Sequence, residues 1–472
     1  MTHNTVQWMP LDNAGKVFPG QNTNRWSNVF RLSVELKNEI DPKTLETALE
    51  KTLRRIPSFR VKLRSGFFGN YFEENKRDCP ISHDIKNHCY RIGFRENNGY
   101  IFRVYYHKSR ISIDIYHALC DGYGGAVFLM TLAGEYLRLK GYSISHNQFV
   151  LDINEKPKAE ELEDAYERYA TSKDSTKLLE TPAYHKRGTK LPLHHCHYTS
   201  VTMSFKELHS LSKSYGVTVT ELLAAILLDV HYRKQLCEGK GRKDVSVQIP
   251  VNLRKAFPSE SLRNFVICLT VKMSPRKGKY TFEEILRSVS AQLKQVNNRK
   301  DLHAYITQTV KLQTKALKFI PLALKNTAVK VSFSFGAEYS TTALLSNLGP
   351  INVPENMKEH IERCFFYTGP GLVNGARCGA VSFGDNLTLT FSNRYKEDEI
   401  ETEFLRRLAE LGLSATVETN RDTDYIGIEG ITVGDSQAYS DEVFIPSKQD
   451  RLPSLRSTDI TFKEKARRAF HL

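Results

Sequence analysis

The segment from Arg110 to Leu139 constrains the fold of this chain more than any other. Its first part, RISIDIYH, alternates isoleucine with polar side chains, which is the period of a β-strand. Its second part, GGAVFLMTLAGEYLRLKG, has the length and apolar spacing of a buried helix. The run GYIFRVYY and a polar HKS turn precede the strand and predict a β-hairpin. We therefore expect a core of mixed helix and strand.

His117 ends the predicted strand and has the parity of its three isoleucines, so we expect it on the apolar face. Asp121 and Gly122 follow at the fourth and fifth positions, and DGYGG supplies three glycines where the backbone turns or leaves room for a ligand. The spacing alone leaves two interpretations open. His117 is either a hydrogen-bonded core residue, or a residue that the turn holds in one rotamer beside a channel.

The first half of the chain also contains a helix that the sequence predicts from its ends. In DPKTLETALEKTLRRIP, Asp41 is the expected N-cap, and a proline occupies the first turn. A polar stretch at about 152–195 then connects this half to the second. We expect domains at 1–180 and 181–420, followed by a polar tail at 421–472.

Two capping boxes, Thr218 with Glu221 and Thr281 with Glu284, predict the starts of two helices in the second half. A closing helix is expected at EDEIETEFLRRLAELG. Strands are expected at HHCHYTSVTMSF, VKVSFSF, ALLSNLG, CGAVSFG and NLTLTFSN.

Composition narrows the classes of function. With 472 residues, 40% of them hydrophobic, the chain is long enough to bury a sizeable core. It lacks a signal-peptide pattern and a membrane-length apolar run, and its eight cysteines contain no CxxC pair, so we expect a cytoplasmic protein with reduced thiols. The HHCH run at 194–197 cannot complete a tetrahedral ligand set from one strand, so no metal is expected.

The formal net charge of +14 favours anionic partners. Because no five or six basic residues are consecutive, we expect no nucleic-acid role. The most basic amphipathic stretch is KLQTKALKFIPLALKNTAVK, in which Lys311, Lys315 and Lys318 recur at helical spacing. It is open whether this stretch faces phosphate groups, a membrane surface or only solvent.

Taken together, His117, Asp121 and Gly122 match the HxxxDG signature of the coenzyme A-dependent acyltransferase superfamily. This superfamily includes chloramphenicol acetyltransferase, the condensation domains of peptide synthetases, wax ester synthases and alcohol acetyltransferases. Three further segments resemble the family in order, over residues 5–415: LEKTLRRIPSFRVKLR, then VQIPVNLRKAF with LRNFV, then LLSNLGPI. Tyr116 stands where condensation domains and wax ester synthases usually have a first histidine, so the alcohol acetyltransferase branch is the more similar one.

The resemblance implies an α/β fold, an α+β sandwich of two chloramphenicol-acetyltransferase-like subdomains that form a pseudo-dimer with a tunnel between them. It implies that His117 is the general base, and that Asp121 pairs with an arginine, either Arg254 or Arg60, and shapes the turn with Gly122.

For the tetrahedral intermediate, the resemblance offers Ser346, Asn347 or a backbone N–H as the oxyanion donor. It implies acyl-CoA as a co-substrate, no permanently bound cofactor, and a small alcohol or amine as the acceptor. Two alternatives stay open: a stand-alone condensation-type enzyme that takes its acyl group from a carrier protein, and a non-catalytic binding protein of the same fold.

Overall fold

A computed structural model describes residues 8–23, 27–85, 87–171, 181–193, 195–239, 242–311, 319–335, 339–371, 376–421, 428 and 430–433. The strands in these ranges are β1 Trp8–Pro10, β2 Val29–Leu36, β3 Val61–Ser65, β4 Asn70–Glu74, β5 Ile81–His83, β6 Phe102–His107, β7 Arg110–Tyr116, β8 His197–Ser204, β9 Val245–Asn252, β10 Val266–Met273, β11 Ala343–Pro350, β12 Ile361–Tyr367, β13 Ala376–Phe383, β14 Asn386–Asn393, β15 Ala415–Thr419 and β16 Ile431–Val433.

The α-helices are α1 Phe18–Gln21, α2 Pro42–Arg55, α3 Gly122–Leu139, α4 Ala165–Tyr169, α5 Phe205–Ser214, α6 Val219–Cys237, α7 Phe282–Val296, α8 Arg299–Lys311, α9 Leu322–Phe335, α10 Glu355–Lys358 and α11 Glu399–Glu410. Short 3-10 turns cover Gly15–Val17, Ala159–Leu162, Leu253–Lys255 and Pro275–Lys277.

The first half is organised around a five-stranded sheet of order β12-β2-β7-β6-β5. The predicted hairpin is confirmed, because β6 and β7 pair antiparallel with Phe102 opposite Ile115. The helix predicted from Asp41 is also confirmed: the carboxylate accepts a hydrogen bond from the backbone N–H of Thr44, at 3.0 Å. Helices α2 and α3 pack on each other, and α3 packs on β2 and β7.

The second half is organised around an eight-stranded sheet of order β10-β9-β11-β13-β14-β8-β15-β16. Both predicted capping boxes are present, at the start of α6 and of α7. Helix α6 is buried along most of its length between α7 and the sheet. Each half has its own apolar core.

One strand crosses the boundary that is expected at residue 180. Strand β12, from the second half of the sequence, pairs antiparallel with β2 at the edge of the first sheet, with Cys364 opposite Val34. The unpaired backbone groups at the edge of a sheet can pair with a strand from any part of the sequence. Strand β12 therefore connects the second half of the chain to the first sheet. Of the expected tail, β16 pairs in parallel with β15, and residues 434–472 lie outside the described residues.

The prediction of a strand at VKVSFSF is wrong, because these residues end helix α9. Seven alternating residues are a weak signal, and tertiary contacts override the β-preference of such a run. Here α9 packs closely on α1: a Cβ built on Gly20 would lie 2.9 Å from Val329 Cγ1. Of the predicted basic stretch, Lys311 ends α8, whereas Lys315 and Lys318 lie outside the described residues.

Among the described helices, none is by itself long and apolar enough to cross a membrane. The adjoining helices α5 and α6 meet that criterion only as a pair that is bent by 82°.

The polar side of β7 is as buried as its apolar side. There the guanidinium of Arg31 on β2 donates to Asp114 from Nε and to Asp84 from Nη1, both at 2.6 Å. All three side chains are at most 1% exposed. The central sheet of the first half therefore contains a buried cluster of one positive and two negative charges.

We expect Arg31→Leu to lower the free energy of unfolding by about 3–5 kcal/mol, because the change leaves two buried carboxylates without their counter-ion. Urea unfolding followed by circular dichroism measures this loss. The matched control is Arg54→Leu, which removes an ion pair of a 71% exposed arginine with Glu50 and should cost less than about 1 kcal/mol. Equal losses in the two variants would contradict the assignment.

Candidate active site

A cavity of about 1630 Å³ lies between the two halves. Both sheets and the segment before β2 contribute to its wall. Among the lining residues are Lys16, Phe18, Phe30, His117, Asp121, Gly122, Tyr123, Asn252, Lys272, Lys325, Ser346, Asn347, Leu348 and Arg377.

His117 stands where β7 ends, half-buried in the wall of this cavity. Its backbone N–H donates to the carbonyl of Asn28, at 2.8 Å, which continues the pairing of β7 with the chain before β2. The imidazole is stacked on Phe18, with 4.6 Å between ring centroids, and meets Phe30 edge-on at 5.1 Å. Backbone pairing and two aromatic contacts thus restrict the ring to one orientation.

Asn264 determines which ring nitrogen of His117 carries the proton. Its side-chain nitrogen Nδ2 donates to the backbone carbonyl of His117, at 3.1 Å, and to the carboxylate of Asp12, at 3.1 Å. A carbonyl oxygen only accepts, so the other end of the amide, 3.0 Å from His117 Nδ1, is the oxygen Oδ1. In the neutral ring Nδ1 therefore carries the hydrogen, and Nε2 has a free lone pair.

Asp12 is completely buried and holds Asn264 in turn. Its carboxylate accepts from the backbone N–H of Gly15, at 2.6 Å, and lies 3.7 Å from the Arg263 guanidinium. The sequence around Asp12 contains no motif, so the sequence alone gives no signal for this residue. Asn264 lies in LRNFV, one of the family-like segments, but that resemblance does not predict its contact with His117.

Burial lowers the pKa of the His117 imidazole below its ordinary value. The carbonyl of His117 itself, the charges of Asp121 and Asp12, and the hydrogen bond to Asn264 act in the opposite direction but do not outweigh burial. The ring is therefore neutral at neutral pH, which is the protonation state that a general base needs.

Asp121 pairs with Arg254 and not with Arg60. It is the N-cap of α3, where Oδ1 accepts from the backbone N–H of Gly124 at 3.0 Å. Its Oδ2 accepts from Arg254 Nη1, at 2.7 Å, and from the backbone N–H of Phe265, at 2.9 Å. Arg60 instead forms an ion pair with Glu50, at 2.8 Å.

The glycines after Asp121 allow the start of α3 to approach the second half. A Cβ on Gly124 would lie 2.0 Å from the carbonyl oxygen of Leu262, and that backbone atom has little freedom to move. A Cβ on Gly122 would lie 2.3 Å from Leu348 Cδ2, which belongs to a flexible side chain. A side chain would therefore be tolerated less well at Gly124, two residues after the motif, than at Gly122. The only signal for Gly124 in the sequence is the GG pair of DGYGG.

Ser346 and Asn347 both line the cavity from β11. The amide of Asn347 is used within the protein: Nδ2 donates to Thr220, at 3.0 Å, and Oδ1 accepts from the backbone N–H of Gly349, at 2.9 Å. Gly349 has a φ of +75°, so this residue turns the strand at a position that favours glycine. Asn347 therefore shapes the strand end, whereas Ser346 presents a hydroxyl beside the cavity.

The charged side chains in the cavity wall are mostly basic. Lys16, Lys272, Lys325 and Arg377 line it, and the only acidic residue among the described lining residues is Asp121, whose charge Arg254 balances. The interior is thus suited to an anionic ligand.

Of the HHCH run, His195, Cys196 and His197 are not among the residues that line this cavity, and His194 is outside the described residues. Cys196 is buried, with its thiol directed at the carbonyl of Asn393. Among the residues that the model describes, no three His, Cys, Asp or Glu side chains form a group that could hold a metal ion.

No family model matches the sequence, and no curated protein matches it. The fold, however, is similar to solved structures. Fusarium sporotrichioides TRI101, complexed with coenzyme A and T-2, is 12% identical, with a TM-score of 0.59 over 86% of this chain and 99% of that one. The epimerization domain from the third module of tyrocidine synthetase B is 13% identical, with a TM-score of 0.55 over 87% and 97%.

The first condensation domain of the CDA synthetase is also similar, at 15% identity and a TM-score of 0.54 over 86% of this chain and 97% of that one. The chain therefore has the two-subdomain fold of the coenzyme A-dependent acyltransferases and condensation domains. The expected fold class is confirmed.

We expect Arg254→Leu to loosen the loop that carries the motif, because Asp121 is left buried without its counter-ion. The free energy of unfolding should fall by about 3–5 kcal/mol, and amide hydrogen exchange should increase at residues 118–125. Arg60→Leu is the matched control: it removes the other candidate arginine and should leave exchange in this loop unchanged. An equal effect of both variants would argue against the pairing.

Proposed function

We propose that this protein is an acyl-CoA-dependent O-acyltransferase, in which His117 is the general base that activates an alcohol. The observation that carries this proposal is the geometry at His117. A neutral imidazole, with Nδ1–H bonded to Asn264, leaves Nε2 as the basic atom beside a large cavity between the two halves.

In the proposed reaction, Nε2 of His117 takes the hydroxyl proton as the acceptor oxygen attacks the thioester carbonyl. The C–O bond forms and the carbonyl oxygen becomes an oxyanion. When the tetrahedral intermediate collapses, the C–S bond breaks, and the imidazolium returns the proton to the departing thiolate. The products are an ester and the free thiol of coenzyme A.

Ser346 is the side chain that we assign to the oxyanion. Its hydroxyl lines the same cavity, and it is not committed to the strand-end turn that occupies the Asn347 amide. A hydroxyl that donates to the developing negative charge stabilises the transition state more than the neutral ground state.

Coenzyme A, and not a carrier protein, is the donor that the charge of the cavity favours. A carrier-bound acyl group brings a single phosphodiester, whereas coenzyme A brings several phosphate charges. The wall contains four basic residues, and its one acid, Asp121, is paired with Arg254. This excess of positive charge suits the more highly charged donor.

The acceptor is expected to be an apolar alcohol. The surroundings of His117 are aromatic: Phe18 and Phe30 contact its ring, and Tyr123, Phe149 and Phe366 line the cavity with them. A small polar acceptor would leave these faces in contact with water, whereas an apolar one covers them.

We expect His117→Ala to reduce acceptor-dependent thiol release from acyl-CoA by about 10²–10⁴-fold, because the base is lost. The assay supplies acetyl-CoA and longer acyl-CoAs with a panel of alcohols and amines. His195→Ala, which changes an exposed histidine outside the cavity wall, is the control and should retain wild-type release. If no acyl-CoA supports thiol release, or if the His117 variant releases thiol as fast as the wild type, His117 does not have the proposed role.

Because burial lowers the pKa of His117, the neutral base persists below pH ~6.5, its ordinary value. The acid limb of kcat/KM against pH should therefore have its midpoint below that pH. We expect Asn264→Ala to move this midpoint lower still, because its hydrogen bond favours the charged ring, and to reduce kcat about 10- to 100-fold.

Asn347→Ala is the comparison for this pH profile, since Asn347 lines the cavity without a hydrogen bond to His117. It should leave the midpoint in place, whatever it does to the rate. A midpoint that stays unchanged in Asn264→Ala would mean that Asn264 has a merely structural role.

A further inference from the structure

A cluster of exposed apolar side chains lies where the turn between β3 and β4 meets the start of α9. Phe67 and Phe68 in the turn are 71% and 49% exposed. Phe319, just before α9, is 76% exposed, Leu324 in the first turn of α9 is 62% exposed, and Trp8 on β1 is 62% exposed. We call these five residues the aromatic patch. An exposed group of large apolar residues of this kind commonly marks an interaction site.

The segments that carry the aromatic patch are joined by direct contacts. The backbone N–H of Leu322 donates to the carbonyl of Phe67, at 2.9 Å, and the ammonium of Lys325 donates to the carbonyl of Phe68, at 2.7 Å. The two phenylalanine rings meet edge-on at 4.7 Å. On the other side Trp8 lies 6.0 Å from Tyr71 of β4. The turn, β1 and α9 thus form one surface.

This surface borders the cavity that contains His117. Trp8 and Phe68 of the patch line the cavity, as do Leu322 and Tyr71 beside it. Anything that covers the patch therefore lies next to the cavity that contains His117.

The charges next to the patch are suited to an anionic surface. Lys16 and Lys325 both line the cavity wall, and Lys325 of α9 donates to the carbonyl of Phe68 in the turn. Partial burial, and then the charge of Lys16, lowers the pKa of the Lys325 ammonium, so the two cations lie close enough to repel each other. The nearby acid Glu73 is already paired with Arg64 and Lys62. An anionic group would relieve the repulsion.

We infer that the aromatic patch binds the surface of an anionic lipid bilayer, with its rings in the interfacial layer and Lys16 and Lys325 beside the headgroup phosphates. The rings protrude from a turn and a helix start, which suits insertion among lipids better than contact with a protein helix, since a helix requires a concave groove. Trp is also favoured at membrane interfaces. An apolar substrate could then pass from the bilayer to the cavity without crossing water.

The first experiment is flotation of the full chain with phosphatidylcholine vesicles and with vesicles that contain about a third phosphatidylserine. We expect binding to the anionic vesicles and at least about a tenfold loss in Phe67→Ser/Phe68→Ser, because two interfacial rings are removed. Lys16→Gln/Lys325→Gln should reduce the preference for phosphatidylserine. The readout is independent of catalysis, so it stands or fails separately from the proposed function.

The matched control is Leu139→Ser/Tyr142→Ser, which removes two exposed apolar side chains outside the cavity wall and should bind as the wild type does. Unchanged melting temperatures would show that the variants are folded. The inference would be overturned if the wild-type protein bound neither kind of vesicle, or if the patch variant floated with the anionic vesicles as the wild type does. A patch-dependent complex with an acidic acyl carrier protein in the absence of vesicle binding would also overturn it.

Discussion

The ion pair of Asp121 with Arg254 is the interaction on which the site at His117 depends. Asp121 caps α3 of the first half, and Arg254 belongs to the second half, so the pair joins the two at the cavity. Arg254 also donates to the carbonyls of Ser261 and Arg263, which fixes the loop before β10. That loop contains Asn264, the residue that holds the His117 ring. The aspartate of the motif therefore acts on the histidine through the other half of the protein.

Close packing of the two halves fixes the position of His117 relative to Asn264. With no side chain at Gly124, the backbone of Leu262 can approach the start of α3, and any larger residue would push the halves apart. Strand β12 adds a second connection, because it returns from the second half to pair with β2 of the first sheet. Two independent contacts between the halves keep the cavity wall, and with it the distance between His117 and Asn264, in one geometry.

Two electrostatic effects at the site are separate: the protonation of His117 and the positive charge of the cavity wall. Asp121 binds Arg254 and two backbone N–H groups, and its charge raises the pKa of His117, but burial lowers that pKa by more and keeps the ring neutral. The cavity wall also contains Lys16, Lys272, Lys325 and Arg377, which suit it to an anionic ligand. A site can in this way be basic at one nitrogen and positively charged over its wider surface.

The sequence by itself determined the elements whose interactions are local. The period of RISIDIYH, the cap at Asp41 and the two capping boxes predicted their strand and helices because strand alternation and helix hydrogen bonds involve residues a few positions apart. The HxxxDG spacing likewise pointed to His117. The same reasoning failed for VKVSFSF, because the contacts of these residues in α9, such as that of Val329 with Gly20 of α1, override the strand preference of an alternating run.

Only the tertiary structure decided the partners of those residues. Arg254 is 133 positions from Asp121, Asn264 is 147 positions from His117, and Asp12 is 252 positions from Asn264. No periodicity links positions so far apart, because their contact follows from how two cores pack and which strand crosses between them. The sequence therefore named His117 as the candidate base, and the packing of the two halves supplied the residues that orient its ring.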